Sequence, residues 1–96
     1  MRPSQALALR RNEVLALTAK SKTRNVRVFG SARNGKDQEG SDLDLIVDPL
    51  PGATLFDLGG LQVALEELLG VRVDLLTPGD LPGAFRERVL KDAVPV

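Results

Sequence analysis

The chain has 96 residues, its 13 basic and 13 acidic side chains cancel to a formal net charge of zero, and it contains neither cysteine nor histidine. That balance excludes an overall positive field drawing the chain to nucleic acid or anionic lipid, and the missing residue types exclude disulfides, thiol nucleophiles and imidazole bases or metal ligands. With Phe29, Phe56 and Phe85 as the only aromatic residues, a stacking surface for single-stranded nucleic acid is not expected either, and carboxylate chemistry is what remains.

The length fits one domain over residues 1–96, with an adequate rather than generous core. Ser4 is placed to cap a helix from about Gln5 to Ala19, on which Leu7, Val14 and Leu17 mark an apolar stripe. Arg10, Arg11 and Glu13 interrupt that helix, so it reads as neither signal peptide nor membrane span, and a soluble cytoplasmic protein is expected. A strand follows at Asn25 to Phe29, then a Gly-Ser turn, a short helical turn over Ala32 to Lys36, and a second strand from Asp42 to Val47. Asp48-Pro49-Leu50-Pro51-Gly52 reads as a loop, because proline neither continues a strand nor lets a helix start at once. Thr54 caps a helix to Leu69 with Leu58, Leu61, Leu65 and Leu68 at helical spacing, and Gly70 stands where the chain must turn left-handed. A third strand spans Val71 to Leu76, and a last helix begins near Leu81-Pro82 with Asp80 as cap, carries Phe85, Val89 and Leu90, and frays over Ala93 to Val96. The order is αβαβαβα, without repeats.

The chemistry gathers at the strand ends. Gly30 and Ser31 follow the apolar strand Val26-Arg27-Val28-Phe29, and ten residues after Ser31 comes Ser41-Asp42-Leu43-Asp44. A Gly-Ser turn can offer backbone N–H groups and a hydroxyl to phosphate oxygens, and carboxylates two apart on a strand share one face about 6.5 Å apart. Leu43, Leu45 and Val47 alternate toward the core, which leaves Asp42 and Asp44 on the opposite face with Ile46. Asp74 lies inside the third apolar run and can join them. Such a set suits Mg²⁺, which accepts one or two carboxylates and fills its other positions with water and phosphate; two ions about 4 Å apart would serve an in-line displacement. The bland alternative is a solvated strand edge. Gly30 to Lys36 also spells most of a P-loop, but Asp37 stands where the magnesium-holding hydroxyl belongs and no long helix follows. A calcium loop beginning at Asp42 fails because Ile46 and Val47 occupy its ligand and glycine positions. Arg33 and Lys36 are either solvated loop charges or phosphate contacts.

Gly30-Ser31, the ten-residue spacing to Asp42-Leu43-Asp44, and Asp74 on a later strand resemble the minimal nucleotidyltransferases of the polymerase-β-like superfamily. The likeness covers nearly the whole chain, and the stretches Asp48 to Gln62 and Arg86 to Val96 are similar to members encoded beside HEPN-domain proteins. The resemblance implies an α+β fold, a small mixed three-stranded sheet flanked by helices. It also implies an antitoxin role, in which AMP passes from ATP to a tyrosine of the HEPN ribonuclease toxin, with possible hetero-oligomer formation and no direct nucleic-acid or membrane contact. By carry-over, Gly30 and Ser31 hold the triphosphate with Arg33 as a nucleotide contact, Asp42 and Asp44 hold Mg²⁺, and Asp74 is the third metal ligand or catalytic carboxylate. Members show Ala-Arg-Gly two to four places after the serine, whereas Arg33-Asn34-Gly35 stands here. Two other functions fit the same residues: a vestigial module that neutralises its partner by occlusion, and a small-molecule nucleotidyltransferase, which the short chain disfavours. The loop Asp48 to Phe56 and the tail Ala93 to Val96 are the expected partner-contact surfaces.

Overall fold

The computed structural model describes residues 1–96. Its elements in order are α1 (Pro3–Leu9), α2 (Arg11–Lys20), β1 (Thr23–Phe29), a tight helical turn (Gly30–Asn34), β2 (Leu43–Pro49), α3 (Leu55–Leu69), β3 (Val73–Leu76), a short turn (Pro78–Asp80), α4 (Gly83–Asp92) and β4 (Val94–Pro95). The sheet order is β3-β2-β1-β4. β1 runs antiparallel to both β2 and β4, whereas β2 and β3 are parallel, so the sheet is mixed and α3 is the crossover between its parallel strands.

Alternation in β2 sorts the two faces. Leu43, Leu45 and Val47 have no exposed surface and join Leu7, Val14, Val28, Leu61, Leu65 and Val73 in the main core, beneath α1, α2 and α3. Ile46 points the other way into a smaller cluster with Leu81 and Val89, so α4 covers that face, with Phe29, Leu76 and Leu90 at its margin. The expected mixed sheet with flanking helices is therefore present, and no helix is long and apolar enough to cross a membrane.

Several boundaries differ from expectation. The first helix is two helices joined at Arg10 (φ −111°, ψ 21°), though Ala6 and Leu7 before the bend and Val14 and Thr18 after it are all buried. Ser4 is not its cap, because Pro3 takes the first helical position and Asp37 accepts the Ser4 N–H from 33 residues away, at 2.8 Å. β1 starts two residues early: a register shift between Arg24 and Arg27, with Asn25 at φ 56°, restores pairing to Asp48 and Pro49, which end β2 rather than open a loop. The third strand starts at Val73, two residues later than its apolar run. Asp80 closes the Thr77–Asp80 turn, where it accepts the Thr77 N–H at 2.9 Å, and does not cap α4.

The tail corrects both the strand count and its predicted fraying. β4 is a fourth, edge strand: Val28 pairs with Val94 and Arg27 with Pro95, the Val96 N–H donates to the Val26 carbonyl at 3.0 Å, and the Arg11 guanidinium donates to the Val96 carbonyl at 3.2 Å. Two residues on an edge, one of them proline, carry no alternating pattern from which pairing could be read. Hydrogen exchange followed by NMR checks this: the Val96 amide is expected to exchange at least about tenfold more slowly than an unstructured amide, with part of that protection lost in Arg11→Ala.

Candidate active site

β2 places Asp44 at the centre of the sheet, with a partner on each side. Phe29 is its antiparallel neighbour on β1 and Asp74 its parallel neighbour on β3. Gly30 follows Phe29 with φ +71°, and a Cβ built there would overlap Asp44 Oδ2, so glycine is required both by the backbone and by the carboxylate against it. Ser31 is exposed beside it, and buried Ala32 anchors the turn to the main core. Gly35 ends the turn at φ +74°.

Asp42 lies one register step outside Leu43–Val73, opposite Arg72, and its Oδ1 is 3.1 Å from Arg72 Nε. Both side chains are well exposed, so the pair is worth little as a stability term. It nevertheless aims the Asp42 carboxylate. The three aspartates share one end of the sheet, but no three acidic side chains close into a ready-made metal cage. The reason is electrostatic: like charges separate, and Asp42 takes Arg72 as its counter-charge. Asp44 is still held above the ordinary aspartate range, first by burial and then by the fields of Asp74 and Asp42. The donor set, all hard oxygen, fits a magnesium ion bound by one or two carboxylates whose remaining ligands are water and substrate phosphate.

Two other sequence candidates lie on or just after the turn, and a third lies away from it. Arg33 lies on the turn and donates to the Asp92 carbonyl at 3.4 Å, while Lys36 is exposed and its backbone N–H returns to the Ser31 carbonyl at 3.1 Å. Phe56, which is 92% exposed in the first turn of α3, lies beyond the end of β2 opposite Asp44. The largest cavity, about 530 Å³, lies between α2 and α3 and contains none of these residues.

Three contributors were not read from the sequence. Arg72 could have been found from register, because it precedes Asp74 by two residues as Asp42 precedes Asp44. Asp37 looked like a polar loop residue, yet it is 3% exposed; burial opposes its charge, but hydrogen bonds from Ser4 outweigh that and hold its pKa low. Arg2 adds a bond from its guanidinium to the Gly35 carbonyl at 3.0 Å, so the N-terminus of α1 braces the loop that links the turn to β2. The third is a groove between the Gly30–Asn34 turn and α4, which no spacing announces.

Comparison with known proteins agrees with this fold. The nucleotidyltransferase domain family matches residues 13–96. Protein adenylyltransferase MntA of Thermococcus cleftensis is 38% identical over 71 residues, 74% of this chain and 72% of that protein. A solved structure described as a minimal nucleotidyltransferase has a TM-score of 0.88 and 46% identity over 97% of this chain and 95% of its own. A toxin–antitoxin structure with AMP-PNP shares the fold at a TM-score of 0.74, with 21% identity over 88% of this chain and 69% of its own.

Three substitutions test the geometry by stability alone. A carboxyl whose pKa is higher folded than unfolded makes the fold less stable as pH rises between the two values, so Asp44 destabilises at neutral pH. In the presence of a chelator, Asp44→Asn is therefore expected to raise Tm at pH 7, by about 4–8 °C for each kcal/mol relieved. The gain should shrink as pH falls and vanish below the ordinary aspartate range; an equal gain at all pH values would contradict this account. Gly30→Ala should lose about 1–2 kcal/mol for its left-handed backbone, and more for displacing Asp44. Gly35→Ala, also left-handed but facing open space, should lose the backbone part alone, and denaturant melts of the two give the difference.

Proposed function

The chain belongs to the nucleotidyltransferase domain family, and on that premise we propose that it is a magnesium-dependent protein adenylyltransferase, the antitoxin that silences a HEPN-domain ribonuclease toxin by moving AMP from ATP onto one of its tyrosines. The observation that carries the reading is the seating of Asp44 between Asp74 and a glycine that has no room for a side chain. The adenylyltransferase name of the Thermococcus relative and the AMP-PNP of the toxin–antitoxin structure support ATP as donor and a protein as acceptor.

In this reading Ser31 holds the leaving phosphates through its hydroxyl and the N–H groups of the turn, with Arg33 and Lys36 as the positive charges next along the chain. Asp42 and Asp44 would hold the metal ion, which would neutralise phosphate charge. Asp74, exposed at the sheet end, accepts the proton of the attacking tyrosine hydroxyl. The tyrosine oxygen bonds to the α-phosphorus as the bond to the bridging oxygen breaks, giving a tyrosyl-AMP diester and pyrophosphate. A chain of this size has little surface to enclose a small acceptor as well as ATP, which favours an acceptor carried by another folded protein over a small molecule.

A second reading, occlusion by a vestigial site, draws on the Arg72–Asp42 pair, in which one carboxylate already has a counter-charge. One experiment separates them. With Mg²⁺ and the partner, label from α-labelled ATP should transfer and γ-label should not. Ser31→Ala should lower kcat/KM for ATP about 10- to 150-fold, the worth of one hydrogen bond to a charged group. Asp44→Asn should abolish transfer while partner binding persists. Neutralisation by Asp44→Asn equal to the parent's, with no AMP on the partner in either case, would establish occlusion instead.

A further inference from the structure

The groove between the Gly30–Asn34 turn and α4 has a volume of about 360 Å³ and is walled by Phe29, Arg33, Phe85, Arg88 and Asp92, with Gly30 at its inner end. We propose that it seats the base of the nucleoside triphosphate, and that Asp92 selects adenine or cytosine, which carry an amino group where hypoxanthine or uracil carries a carbonyl oxygen. This rests on the nucleotidyltransferase reading and adds where the nucleoside lies and how it is chosen.

Position argues first. Gly30 is the residue whose missing side chain admits the Asp44 carboxylate, and it also lines the groove, so the groove adjoins the carboxylate site. No other cavity of the molecule is lined by Gly30. A triphosphate held at Ser31, with its α-phosphorus beside Asp44, extends its sugar and base into this space, and the volume lies in the range of small-ligand clefts, roughly 300–1,000 Å³.

The lining fits a base. Phe85 is 50% exposed although apolar, leaving ring surface for a planar partner. Arg33 and Arg88 bring two guanidinium planes, which stack on aromatic faces and match the charge of adjacent phosphates. The Arg33 guanidinium also donates to the Asp92 backbone carbonyl, which ties the turn to the end of α4 across the groove. The Asp92 carboxylate, when ionised, only accepts hydrogen bonds; it therefore pairs with the amino group of adenine or cytosine and meets repulsion from the carbonyl oxygen that hypoxanthine or uracil has there.

Calorimetric titration without any acceptor tests the proposal, with Mg²⁺ complexes of ATP, ITP and tripolyphosphate as probes. ITP differs from ATP in carrying oxygen for the amino group. The parent is expected to bind ATP more tightly than ITP. Asp92→Ala should bring the two within about twofold, and Phe85→Ala should weaken both by about tenfold or more while tripolyphosphate binds as before, the loss set by one base-stacking contact. Both side chains are exposed, so folding should survive, and circular dichroism checks it. If both variants bind ATP and ITP as the parent does, while Ser31→Ala loses ATP affinity, the base site is elsewhere and the nucleotidyltransferase reading stands. If they leave nucleotide affinity untouched and raise only the KM for the protein acceptor, the groove belongs to the acceptor and the proposal is overturned. A parent that binds neither ATP nor tripolyphosphate removes the proposed function and the base site together.

Discussion

Everything at the candidate site depends on one strand being held so firmly that it can carry a carboxylate where none would settle by itself. Leu43, Leu45, Ile46 and Val47 of β2 are fully buried, three against α1, α2 and α3 and one against α4. Each such burial is worth about 1.5–3 kcal/mol, which outweighs the cost of one crowded aspartate. A register slip by one residue would exchange the two faces and expose the leucines, so the apolar side chains fix where Asp44 stands. Core packing thereby sets the active-site geometry, and repulsion among the aspartates is tolerated because the strand has no lower-energy alternative.

The neighbouring elements keep the site open in different ways. Gly30 gives Asp44 its room, Ala32 pins the turn to the core, and Asp37 with Arg2 ties the following loop to the start of α1. At the far end of β2, Asp48 accepts from Arg27 at 3.2 Å and from Asn25 at 3.0 Å. Burial opposes the Asp48 charge, but those partners hold its pKa below the usual range, as Ser4 does for Asp37. Such depressed carboxyls stabilise the fold above the unfolded aspartate pKa and lose that contribution as pH falls through their folded values, opposite in sign to Asp44. The carboxylates away from the site are thus paired for stability, while Asp44 at its centre has no such partner.

Much of this was legible in the sequence because it rests on local periodicity. Strict alternation in Leu43 to Val47 gave the two faces of β2, and the Thr54 cap, the leucine spacing and Gly70 gave α3 at both ends. Gly30, Ser31, Asp42, Asp44 and Asp74 fall together at one end of the sheet as the spacing implied. What escaped was long-range. Asp37 caps a helix 33 residues away, Arg72 finds Asp42 through strand register, and β4 forms because Val94 meets Val28; none leaves a periodic trace. The groove escaped for the same reason, since Phe29, Arg33 and Phe85 are brought together by the packing of α4 on the sheet.

The fold also constrains how an acceptor protein would approach. Leu55 and Phe56 are 85% and 92% exposed, but they start α3 beyond the end of β2 opposite Asp44. A seven-residue strand spans about 23 Å, so a partner seated only on that patch leaves its acceptor side chain well short of the carboxylates. The edge beyond β1 is closed by β4, and the face over Ile46 is closed by α4. The open approach is at the sheet end itself, past Asp42, Asp44 and Asp74, where exposed Ser31 marks one side and Arg72 the other. An acceptor hydroxyl presented on a projecting segment can enter there, which fits transfer between two folded proteins better than capture of a small molecule in an enclosed pocket.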